Sequence, residues 1–124
     1  MEATMTPSEV HARLVELWTA GRFEEGLRLI APDVVDHRGG TAGDHHGIDA
    51  WRAKWDRKAD VAVRIEQNVS EGEFSVNRYT SSGPGYAVTG MDMVRVRDGR
   101  VVEHWALMDV TARAAQLSAT GTQG

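Results

Sequence analysis

Apolar residues along the chain fall first at helical and then at alternating spacing. Val10, Leu14, Leu17 and Trp18 form a helical stripe that follows Thr6-Pro7-Ser8-Glu9, a capping box with proline at the first helical position. Gly21 ends that helix. Phe23, Leu27 and Ile30 predict a shorter second helix over 23–30, stopped by Pro32 before an extended segment, Val34 to His37. Gly39 to Gly47 reads as a loop, and Ile48, Trp51, Arg52 and Trp55 mark a third helix. From Asp60 the period changes to two, with Val61, Val63, Ile65 and Val69 alternating with Ala62, Arg64, Glu66 and Asn68. Glu71-Gly72 turns into Phe74, Val76, Arg78 and Thr80, and Ser82 to Gly85 turns again into a hairpin around Asp98-Gly99. Thr111 to Gly124 is polar and small, expected as a frayed helical end and a tail.

Helices followed by antiparallel strands predict an α+β fold, with the helices on one face of the sheet. The hairpin register decides which residues face them. A strictly two-residue loop sets Arg95 opposite Val102 and mixes charge with apolar residues on both faces. A three-residue loop with a glycine bulge pairs Arg95 with Glu103, Val96 with Val102, Val94 with His104 and Asp92 with Ala106. In that register Val88, Gly90, Asp92, Val94, Val102, His104, Ala106 and Met108 share one face. Arg95, Glu103, Trp105, Leu107 and Asp109 share the other. Asp92 and His104 are then neighbours on a mostly apolar surface.

Length and charge narrow what this pair can serve. At 124 residues the chain makes one domain with room for a pocket as well as a core. Its formal charge of -4, with both signs interspersed, offers no basic face for nucleic acid. There is no cysteine and no apolar run long enough to span a membrane, so a soluble cytoplasmic protein is expected.

Val88 to Trp105, with its Thr-Gly-x-Asp and Asp-Gly-Arg-Val-Val-Glu-His-Trp segments, and Ala31-Pro-Asp-Val-Val-Asp-His37 after a short helix together resemble the SnoaL-like polyketide cyclases of the nuclear transport factor 2-like superfamily. The resemblance covers roughly residues 7 to 110, and residues 98–105 are its most specific part. It implies a cone-shaped α+β barrel over 1–112, with a curved, mostly antiparallel sheet wrapped by about three N-terminal helices around a hydrophobic cavity, and a tail over 113–124. Family members that close an aldol ring commonly carry an acid/base aspartate directly after Glu-His-Trp, as the related limonene epoxide hydrolases do; here that position is Ala106. Against ketosteroid isomerases, the helix-one tyrosine and the oxyanion aspartate fall at Leu14 and Val88, and the base at His37.

These departures leave His37, Asp92 and His104 as the candidate proton-transfer groups. The plainer reading of His37 is a capping residue at a strand end, and that of Asp92 with His104 is a buried pair that fixes the strands. An aspartate-held imidazole is also the usual way to set a histidine tautomer for proton transfer, so one contact can serve both ends. Trp18, Trp51, Trp55, Tyr79, Val88, Ala106 and Met108 are the candidate substrate-contacting residues, although core packing is the plainer reading for at least Trp51 or Trp55. Of Arg78 and Tyr79 only one can face inward. Asp44, His45, His46 and Asp49 near His37 lack regular metal-ligand spacing, and surface solvation accounts for them better. Two functions follow: a cofactor-independent cyclase or isomerase acting on a hydrophobic, polyketide-derived intermediate of secondary metabolism, or a binding and carrier domain without catalysis. Trp105 and Leu107, beside Met91 and Met93, predict a homodimer through the outer sheet face.

Overall fold

The computed structural model describes residues 4–37, 43–57 and 60–119. Helix α1 (Pro7–Thr19) starts at the expected capping box: Thr6 Oγ1 accepts from the Glu9 amide, and Glu9 accepts from the Thr6 amide at 2.9 Å. Helix α2 (Phe23–Leu27) is shorter than its apolar spacing suggested, because Ile30 already belongs to strand β1 (Ile30–His37). Pro32 therefore lies within β1 and does not precede it. Lacking an N–H, it cannot join the ladder there, and the pairing of β1 is broken between Ile30 and Val35. The region expected to be a loop contains a short strand β2 (Asp44–His46), antiparallel to β1; residues 39–42 of that expectation lie outside the described residues. Helix α3 (Ile48–Asp56) follows.

Four long strands come next: β3 (Ala62–Glu71), β4 (Phe74–Gly83), β5 (Tyr86–Arg97) and β6 (Arg100–Met108). The curved sheet has the order β2-β1-β6-β5-β4-β3, antiparallel except where β1 runs parallel to β6. The architecture is the expected α+β one, with one helix more than foreseen. That helix is α4 (Val110–Ala119), on residues expected to fray into a tail. Gln116 ties it to β5 by donating to the Ala87 carbonyl and accepting from the Ala87 amide. The end of the expected tail, residues 120–124, lies outside the described residues.

The hairpin combines the two registers that the sequence set against each other. Asp98 and Gly99 form a two-residue turn with both φ angles positive, 53° and 74°, the pattern of a type I′ hairpin. Arg97 then faces Arg100 and Val96 faces Val101, but Arg95 faces Glu103, so Val102 is the bulged residue. The expected three-residue loop is thus replaced by a tight turn and a bulge deeper in the strand. Val101, fully buried against Val96, takes the inner place expected for Val102. A cause is visible next to the bulge, where the Val101 amide leaves the hairpin and donates to the Leu29 carbonyl at 2.7 Å. From Glu103 onward the predicted pairs hold: Val94 with His104, Asp92 with Ala106, Gly90 with Met108. The core between sheet and helices is Val10, Leu14, Leu27, Ile30, Val34, Trp51, Trp55, Val94, Val96 and Val101.

Candidate functional site

Beside this core the inner face of the sheet opens into a cavity of about 320 Å³. Of the expected contact residues, Trp18, Trp51, Trp55, Tyr79, Ala106 and Met108 line it; Val88 is buried next to it but is not on its wall. The Arg78 or Tyr79 alternative resolves by strand parity. Tyr79 is 9% exposed and faces in, whereas Arg78 is exposed and reaches Gln67. The Tyr79 ring lies over Gly90, its partner across the β4-β5 ladder, where there is no Cβ to displace it. Burial, helped by the nearby negative charge of Asp92, pushes its hydroxyl up to about 12, so Tyr79 stays a neutral donor.

Asp92 and His104 do meet on the cavity wall, with His104 Nε2 3.1 Å from Asp92 Oδ2. Two further residues complete the arrangement, and neither was singled out in the sequence. Asp36, 3% exposed, accepts from His104 Nδ1 at 2.8 Å on one oxygen and from Lys54 Nζ at 2.9 Å on the other. His11, fully buried on α1, places Nε2 3.0 Å from Asp92 Oδ1, a close electrostatic contact out of line for a directional hydrogen bond. On its other side His11 Nδ1 lies 2.8 Å from Ser75 Oγ, which also accepts from Asn68 Nδ2 at 2.8 Å, so both ring nitrogens are held by polar neighbours.

For both aspartates burial alone would raise the pKa. The hydrogen bonds and charges of His104 and Lys54 outweigh it at Asp36, and the His104 hydrogen bond with the close His11 contact outweighs it at Asp92, so both carboxyls are held well below the usual range. His104 thus bridges the two aspartates, Nδ1 to Asp36 and Nε2 to Asp92. Trp51 packs edge-on against His104 at 5.1 Å and lies under Lys54 at 3.5 Å, closing the polar cluster from the side of α3.

His37, the other expected catalytic group, is not in the cavity. Parallel pairing sets Asp36 level with His104 and His37 level with Trp105, which turns His37 to the outer face. There it stacks on Trp105 at 4.8 Å and binds Glu103 at 2.8 Å and Asp44 at 3.2 Å. The Glu103 hydrogen bond, supported by Asp44, raises its pKa. The expected inward histidine is therefore replaced by the preceding aspartate. Among the described residues no group of His, Asp or Glu side chains gathers as a metal site, and no helix is long and apolar enough to cross a membrane.

A family model described as a SnoaL-like domain matches residues 11–104. The chain is similar to IdmH from Streptomyces antibioticus, a candidate polyketide cyclase, at 32% identity over 92% of this chain and 99% of that one, with a TM-score of 0.77. A loop-truncation variant of IdmH gives 34% identity over 90% and 99%, with a TM-score of 0.78. A candidate SnoaL-like polyketide cyclase from Shewanella putrefaciens CN-32 shares the fold at 15% identity, over 96% and 99% and with a TM-score of 0.78. No curated protein matches the sequence.

Proposed function

The chain belongs to the SnoaL-like family, and from that premise we propose that it is a cofactor-independent cyclase or isomerase acting on a hydrophobic, polyketide-derived intermediate of secondary metabolism. The observation that carries the proposal is the meeting of His104 and Asp92 on the wall of an apolar cavity lined by three tryptophans and two tyrosines. The walls fold a flexible chain into a reactive conformation, and the polar pair moves the proton. Asp36 fixes the imidazole by Nδ1, which leaves Nε2 as its working end.

The two groups act in sequence. In the empty pocket Asp92 is a weak base, because imidazoles face both its oxygens. When a substrate carbonyl accepts the His104 Nε2–H, Asp92 loses that donor and gains basicity beside the carbon to be deprotonated. Asp92 then takes a proton from carbon while His104 gives one to the developing oxyanion, so no cofactor is consumed. His11 is a positioning residue that keeps Asp92 oriented. A carrier reading is favoured by one observation, Ala106 at the place where related cyclases have their acid.

Turnover separates the two readings. Candidate linear polyketide intermediates are incubated with the protein and followed by chromatography and mass, ring closure or isomerisation shifting retention with the mass unchanged or lower by one water. His104→Ala is expected to lose about 10²–10⁴-fold in rate, the usual scale of a general acid–base group, while His37→Ala keeps wild-type turnover. Wild-type turnover by His104→Ala would move the protein to the carrier class.

We also propose a cytoplasmic homodimer joined through the outer sheet face. Leu107 at 79%, Met91 at 47% and Phe74 at 39% exposure lie there around Trp105, which supports burial against a second copy.

A further inference from the structure

The cavity holds a cation that the proposed reaction does not use. Arg113, in the first turns of α4, lines the wall with Tyr86 and Met108. Its Nη1 lies 3.9 Å from Met108 Sδ and its guanidinium carbon 5.8 Å from the centre of the Tyr86 ring. Among the described residues no carboxylate reaches it, whereas Lys54, another cation of the cavity, is bound to Asp36. A half-buried guanidinium against sulfur and an aromatic face is incompletely compensated, and its planar fork suits a carboxylate.

Position along the strands gives this cation a meaning. Met108 pairs with Gly90, and Tyr86 lies further along β5, two and six residues from Asp92. At ~3.4 Å per residue that is about 7–20 Å of strand. Ser81, on the same wall, pairs with Val88, and its hydroxyl has no hydrogen-bond partner among the described residues. The cavity thus carries a fixed negative charge at Asp92 and a free positive one displaced along the sheet.

We infer that the ligand is amphipathic, with a carboxylate or equivalent acidic group at the end away from the reacting carbons, and that Arg113 selects that group. This rests on the pocket reading above. Asp92 already holds the imidazoles at its end of the cavity, so Arg113 is the cation open to an acidic group, and that attraction sets which way round the chain enters.

The test compares 2-naphthoate with the neutral 2-naphthamide, binding being followed by quenching of tryptophan fluorescence. The wild type is expected to prefer the carboxylate by about tenfold, the scale of one charge-assisted hydrogen bond, and Arg113→Gln to bind both equally. Equal wild-type affinities, or an undiminished preference in Arg113→Gln, overturn the inference. The pocket reading survives that result as long as Ala106→Trp weakens both probes together. If neither probe binds the wild type, the pocket reading fails and the inference with it. If Arg113→Gln does not fold by circular dichroism, Arg113→Lys takes its place: a smaller preference supports the role of the guanidinium and an undiminished one overturns it.

Discussion

Gly90→Ala tests whether Tyr79 is held in the cavity by a missing side chain. The new Cβ would lie 2.4 Å from Tyr79 Cζ, 2.5 Å from its hydroxyl and 2.6 Å from Cε1. Ordinary carbon contacts are about 3.5–4.0 Å, so the ring must retreat by about 1 Å. It is almost fully buried, and overpacking of this kind costs about 1–3 kcal/mol. In an unobstructed strand the same substitution would gain about 0.4–1 kcal/mol by restricting the unfolded chain, so the sign alone is informative. Urea unfolding followed by tryptophan fluorescence should show a midpoint lower by roughly 1 M, for a slope near 2 kcal/mol/M. In a Tyr79→Ala background the obstacle is gone, and Gly90→Ala should become neutral or stabilising, a coupling of about 2 kcal/mol. A raised midpoint for Gly90→Ala with Tyr79 present would refute the packing argument.

Ala106→Trp should fill the cavity beside Asp92 and weaken binding of a bulky apolar ligand while circular dichroism stays native; unchanged affinity in the folded variant would remove Ala106 from the ligand's path. Because Asp36 and Asp92 titrate lower in the folded than in the unfolded chain, their contribution to stability is complete above about pH 4 and is lost as pH falls below it, so urea midpoints should drop steeply in acid. Asp92→Asn should be less stable at pH 7 and lose less on acidification; an acid limb as steep as wild type's would place the titration elsewhere. Trp105→Glu should yield monomers by light scattering at micromolar concentration, and a wild type that is itself monomeric there would end the dimer proposal.

Local signals carried most of the fold. The capping box, the glycine after α1, the change of period at residue 60 and the charge pairing of Arg95 with Glu103 each depend on neighbours close in sequence or across one turn. The failures have a common cause in contacts between distant segments. Ile30 fits a helical stripe with Phe23 and Leu27 and becomes strand only because β6 is there to pair with it. The choice between Asp36 and His37 depends on a parallel register that no hairpin rule supplies. His11 sits in sequence among apolar helix positions, and nothing nearby announces the aspartate that faces it 81 residues later. α4 is the exception, since Asp109 caps it locally by accepting from the Ala112 amide at 2.9 Å and Gln116 then ties it to β5.

The single parallel pairing in the sheet also governs when the site can come into being. Asp36 and His104 are separated by 68 residues, and bringing such segments together costs on the order of 4 kcal/mol in loop closure before any contact forms. β1 has no ladder partner other than β2 until β6 has been made. A polypeptide emerging from the ribosome can therefore fold α1 and the β3-β4-β5 meander while its polar centre does not yet exist. Until β6 docks, the tryptophan walls and both aspartates are present without the His104 that joins Asp36 to Asp92.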